Sequence, residues 1–164
     1  LAAIDRALLL LARGLLAVSA AACCAIFAIV LAAVVMRYAL AAPFRFTEEL
    51  SGLLLAAMAF GGLPWAMAAH ANIRVTLVTE RLPPLTRRLA WVAGQFILVA
   101  FCVVFAREAI AIAEFTQRLS LRSEQARLPL APWLWWMVGS VALTGLIGAW
   151  WALRPPPDSE APRL

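Results

Sequence analysis

The sequence contains no lysine, one histidine, one tyrosine and three cysteines, and only 14% of its 164 residues are charged. Each scarcity excludes something. A haem held between two histidines needs a second histidine, and His70 is the only one here. The cysteines are Cys23, Cys24 and Cys102. Two are adjacent rather than spaced as CxxC and the third lies in an apolar run, so they read as small buried hydrophobes and offer no zinc site. With so few ionisable groups, no acid–base pair stands out. We expect neither an enzyme nor a bound cofactor. The formal net charge is +5, and every basic residue is arginine. A basic balance can mark nucleic-acid binding. Here the arginines flank apolar runs, which is the pattern of membrane orientation signals, so no nucleic acid is expected.

What is abundant is apolar surface. Hydrophobic residues make up 65% of the chain, and mean hydropathy is +0.89. A soluble domain of this length could not hide that much. A helix needs roughly 20 apolar residues to cross about 30 Å of hydrocarbon. Runs that meet this criterion fall at about 15–36, 50–69, 89–106 and 133–153, the third continuing as helix toward Phe115. Backbone groups in lipid must bond internally, so each run predicts an α-helix. Barrel strands would alternate over shorter segments. The fold class is therefore an all-α membrane protein with one four-helix transmembrane domain over 1–153 and the bilayer as its solvent.

Both ends of the chain need comment. Arg6 and Arg13, an apolar run and then SAAAC imitate a cleaved signal or a lipoprotein site. The run continues to Met36, too long for a signal core, so a retained helix is expected. Ahead of it Ile4, Leu8, Leu11 and Leu15 fall at helical spacing, which predicts a short interfacial lead-in helix. The tail 154–164, RPPPDSEAPRL, is proline-rich and polar and should be disordered.

Four spans place the N-terminus, the middle loop and the tail on one face. Arg74, Arg81, Arg87 and Arg88 crowd the membrane ends of that loop, and with Arg6 and Arg13 they predict both termini in the cytoplasm. Tryptophans mark the same boundaries. Trp133, Trp135 and Trp136 open the last run, while Trp150 and Trp151 close it. At 1.5 Å per residue these clusters stand roughly 26 Å apart, close to the hydrocarbon thickness. Trp65 and Trp91 fall near the inner ends of the second and third spans, as interface anchors should.

The second run has acidic residues at its mouth, in PFRFTEELSGLLL from Pro43. Thr47 can cap a helix starting at Glu48, and a carboxylate suits the positive end of the helix dipole. That accounts for one glutamate better than for two. An acidic side chain is costly in hydrocarbon, so Glu48 and Glu49 should sit at the outer interface and find arginine. Arg37 ends the first span, Arg45 precedes the glutamates and Arg107 lies near the outer end of the third. We expect Glu48 or Glu49 to pair with Arg37 or Arg107 and clamp helix ends together. All charges then lie at the rims, and the span centres hold only apolar and small residues. Ion-coupled carriers place ionisable groups or broken helices near the centre. A chain without such a site reads as a subunit rather than a complete transporter. A self-contained four-helix multidrug exporter, which needs a membrane-embedded glutamate, is the alternative.

Three stretches carry a family resemblance. They are RYALAAPFRFTEELSGLLL from Arg37, NIRVTLVTERLPPLTRRL from Asn72 and SEQARLPLAPWLWWMVGS from Ser123. In that order, around four apolar runs, the chain resembles the small membrane subunit of the tripartite ATP-independent periplasmic (TRAP) transporters. It departs from that pattern at Asn72, where histidine is frequent, and at Thr76, where aspartate is common. The resemblance implies a location in the bacterial inner membrane. It implies a large multi-span partner subunit that carries an organic anion inward with sodium, and a periplasmic binding protein that delivers the anion. It implies a scaffold role for this chain, with Asn72, Arg74, Arg87 and Arg88 in the cytoplasmic loop motif. The outer loop, with Arg118, Arg122, Glu124 and Arg127, is the expected contact for the binding protein.

Overall fold

The computed structural model describes residues 2–39, 46–69 and 83–153. These form four helices: α1 Ala2–Ala39, α2 Thr47–Ala68, α3 Pro84–Arg118 and α4 Ala131–Ala152. All four are long and apolar enough to cross a membrane. Arg45, His70, Asn72, Arg74, Arg81 and the tail from Arg154 lie outside the described residues.

The helices stand in a row. α1 packs along α2, α2 along α4 and α4 along α3, with a lighter contact between α1 and α4. α2 and α4 are thus the two middle helices, with 22% and 39% of their apolar stretches buried against 11% for α1 and α3. The two flanking helices are also the longest, at 38 and 35 residues. At 1.5 Å per residue each exceeds about 50 Å, well beyond the roughly 30 Å a span needs.

The separate interfacial helix expected at the N-terminus is not present. α1 runs unbroken from Ala2 to Ala39. Nothing in it forces a break: it has no proline, and its one glycine, Gly14, meets no neighbour within 4 Å. The lead-in residues also have work inside the bundle. Ala12 is fully buried with Met67, Ala68 and Ile147, and Leu8 and Leu9 pack against that cluster. Ile4 and Leu11, half of the expected stripe, are exposed instead. The segment is therefore the first third of a bundle helix.

Small residues set the closest approaches. α1, α2 and α4 meet at Gly61, where a Cβ would run into the Ser19 hydroxyl and lie 2.9 Å from the Trp136 ring. Between α3 and α4, a Cβ at Gly145 would stand 3.0 Å from that of Cys102, and one at Gly148 would stand 2.7 Å from Leu98. Glycine here lets helix backbones approach. α2 also stays helical through Pro64, which is buried. Proline has no N–H for the usual bond one turn back, and the ring of Phe60, one turn before it, packs against Phe105 at 5.5 Å.

Candidate functional site

α2 begins at Thr47, with Phe46 in the cap position and no side-chain cap bond. Its first turn carries both glutamates. Successive helical residues point about 100° apart, so the two carboxylates cannot share one environment. Glu48 is exposed and Glu49 half-buried.

Glu49 reaches the loop between α3 and α4. Its Oε2 accepts from the Ser123 hydroxyl at 2.7 Å and from the Ala126 N–H at 2.8 Å. The Gln125 N–H lies 3.0 Å from Oε1 and 3.1 Å from Oε2. Consecutive main-chain N–H groups turned toward one point make a concave seat for an anion. In this protein the anion is a side chain of its own.

The loop is shaped to offer that seat. Leu121 N–H bonds back to the Thr116 carbonyl and closes α3. Ser123 N–H donates to the Leu128 carbonyl, Leu130 N–H donates to the Leu121 carbonyl, and Arg122 bridges Pro129 in antiparallel fashion. Ser120 and Arg127 take left-handed backbone conformations, with φ of 49° and 52°. Each is unfavourable for a residue with a side chain, by roughly 1–2 kcal/mol. The bonds to Glu49 help hold them. On this folded loop Arg122, Glu124 and Arg127 are exposed, with Arg118 exposed at the end of α3 just before it.

The expected clamp between a glutamate and Arg37 or Arg107 is not formed. The one ion pair among the described residues is Arg118 with Glu114, at 3.2 Å and exposed on α3. Register explains this. Glu49 meets residues beyond the end of α3, and Arg107 lies about three turns before that end, roughly 16 Å back along the axis. Cys102 packs at Gly145, which sets Arg107 level with about Ser140, near the middle of α4 rather than at its outer end. On α1, Ser19 lies at Gly61, so Arg37 falls about 9 Å beyond Glu49. Arg37 and Arg107 are both exposed.

The tryptophans fix helices to one another as well as standing at span ends. Trp136 donates to the Ala57 carbonyl at 3.0 Å and Trp135 to the Gln117 side chain at 2.9 Å. At the inner end Trp150 donates to Asp5 at 2.8 Å, and the Arg13 guanidinium lies 5.4 Å from the centre of the Trp65 ring. Trp151 packs against the inner core cluster. Trp133 and Trp91 are half-buried, Arg87 is half-buried and Arg88 exposed. Among the described residues no cluster of histidine, cysteine and acidic side chains could hold a metal ion. The residues that sequence reasoning missed are Asp5, Ser123, Gln125 and Ala126. No local pattern ties any of them to its partner, which lies between 74 and 145 residues away in the chain.

Residues 26–154 match the family model of the tripartite ATP-independent periplasmic transporters, DctQ component. The chain belongs to this family. It is the small permease component of a TRAP transporter, and so part of a transport system of three components. No curated protein and no solved structure matches the chain. The matched stretch takes in the last third or so of α1 and all of α2, α3 and α4, including Glu49 and the loop that it holds. Asp5 and Arg13 lie outside it. Membership in a transporter-component family, with four membrane-length helices, makes this TRAP subunit a membrane protein and gives no support to a self-contained exporter.

Proposed function

We propose that this TRAP subunit is a scaffold. It packs against the large transport subunit, stays fixed while that subunit moves its cargo, and offers its outer rim to the periplasmic binding protein. The system takes up an organic anion with sodium, in a bacterial inner membrane, with both termini of this chain cytoplasmic. The observation that carries the reading is the grip of Glu49 on Ser123, Gln125 and Ala126. A four-helix subunit that ties its outer loop to a neighbouring helix has a surface of fixed shape, and that loop carries Arg122, Glu124 and Arg127 on its exposed side. Preformed charged surfaces suit transient docking, because rim charges govern encounter and orientation. The arginine-rich inner loop supports the orientation.

The test uses the complete system. Reversing charge at Arg122 and Arg127 together, both to glutamate, should lower uptake while the large subunit still co-purifies in wild-type amount. Raising the binding-protein concentration should recover part of the loss. Unchanged uptake would remove the docking role. Sodium-driven uptake by this chain reconstituted alone would remove the scaffold role.

A further inference from the structure

α3 uses one face. Gln95, Cys102, Ala109, Ala113 and Thr116 are buried toward the bundle. The opposite side, from Ile97 through Val104 to Ala111, is exposed. Those three residues recur at sevens, the spacing of a helix that meets another along its length. Arg107 and Glu108 flank this ridge, exposed, and neither forms an ion pair with any described residue.

Their depth makes them unusual. Arg107 stands level with about Ser140, roughly one turn below Trp135 and Trp136 and nearly three turns above Trp150. If the tryptophans mark the two interfaces, a guanidinium and a carboxylate face outward well inside the apolar layer. That is unfavourable against lipid. If instead the membrane boundary lies at Arg107, the outer half of α4, with Trp135 and Trp136, stands clear of lipid and needs cover of its own. Both placements call for protein. Escape by snorkelling works against the geometry: helix Cα–Cβ bonds lean toward the N-terminus, and on α3 that is the inner end, away from the near surface.

We infer that the Ile97–Val104–Ala111 ridge of α3, with Arg107 and Glu108 beside it, is the seam with the large subunit. Its occupant is a membrane helix of that subunit that presents a carboxylate to Arg107 and a hydrogen-bond donor to Glu108. This rests on the scaffold reading above. Arginine and carboxylate are the pair best matched for a desolvated contact, since the planar fork binds both oxygens. Ala100 and Ala111 on the same side allow the close backbone approach that membrane helices use. The outward face of α1, with Phe27, Leu31, Val34 and Val35 exposed, carries no charge over those residues and is left to lipid.

The experiment purifies the co-expressed complex through a tag on this chain. Arg107→Leu should cut the recovered large subunit about tenfold, because it strands the partner's carboxylate. Arg107→Lys, which keeps the charge and loses the fork, should fall between wild type and the leucine variant. A photoreactive phenylalanine at Val104 should crosslink to the large subunit, and one at Val34 to lipid only. A lipid-facing Arg107 predicts the opposite: leucine leaves recovery unchanged or improves it, and the Val104 probe labels lipid. That result, with the large subunit still recovered alongside the wild-type chain, overturns the seam and spares the scaffold reading. A wild-type chain that recovers no large subunit overturns both.

Discussion

The two ends of the bundle hold their polar groups by different means. At the outer end one carboxylate, Glu49, gathers the main-chain N–H groups of a loop together with a serine hydroxyl. At the opposite end aromatic side chains meet the acceptor and the cation: Asp5 takes the Trp150 indole N–H, and Arg13 lies over Trp65. A carboxylate that binds several N–H groups of one loop fixes the shape of that loop. A single indole bond fixes only the distance between two helices. The end at Glu49 is therefore held to one shape, and the end at Asp5 keeps α1 seated on α2 and α4.

Gly61 supports both ends, because α1, α2 and α4 cross there. Gly61→Val should break the comparison altogether by separating α1 from the other two helices. Overpacking at such a crossing costs about 1–3 kcal/mol, and the low unfolding midpoint should come with loss of the large subunit. Gly62→Ala is the control. Its Cβ meets nothing within 4 Å, so stability should stay within about 0.5 kcal/mol of wild type. Equal loss in both variants would mean that the crossing does not set the requirement for glycine, because helix propensity by itself favours alanine over glycine and predicts no loss at Gly62.

How much of this could be read from the residues follows from what each contact uses. The four spans were legible because each needs only length and apolar content, which a sequence displays directly. The N-terminal lead-in was misread because Ile4, Leu8, Leu11 and Leu15 make the same stripe on an interfacial helix as on a bundle helix. Only the cluster around Ala12 and Met67 separates the two. Arg107 was placed by counting from the end of its own apolar run, and depth is set instead by the register of α3 on α4 at Cys102 and Gly145. Glu49 was marked as needing a partner, and it has several. They are backbone groups, which have no residue type to look for, so arginine was the natural expectation.

The glutamate pair sharpens the outer half of the comparison. Glu49→Ala should free residues 120–130, seen as severalfold faster cleavage by protease added from the outer side. Glu48→Ala should leave cleavage at the wild-type rate, because Glu48 is exposed and Glu49 alone bonds the loop. Uptake should follow the same order, and recovery of the large subunit should not change in either variant. Similar cleavage of both variants would mean that the loop owes its shape to its own bonds, such as Ser123 N–H to Leu128 at 2.9 Å, and that Glu49 only decorates it.

The inner half is tested by Asp5 and Trp150. Trp150→Phe removes the indole donor and keeps most of the ring. Hydrogen bonds between membrane helices average about 0.6 kcal/mol with a maximum near 1.7, so a fall of about 1 kcal/mol in unfolding free energy is expected. Asp5→Ala should cost less than that bond alone would suggest, because the lost carboxylate also no longer has to be held near an apolar cluster. The double variant then decides whether the bond itself matters: a coupling of about 0.5 kcal/mol or more between the two changes assigns it a role in seating α1. Strict additivity would leave the packing of Leu8, Leu9 and Ala12 and the contact of Arg13 with Trp65 to seat this end of α1. This end would then owe nothing to the bond between Asp5 and Trp150, and it would differ further from the loop, where one carboxylate binds several donors.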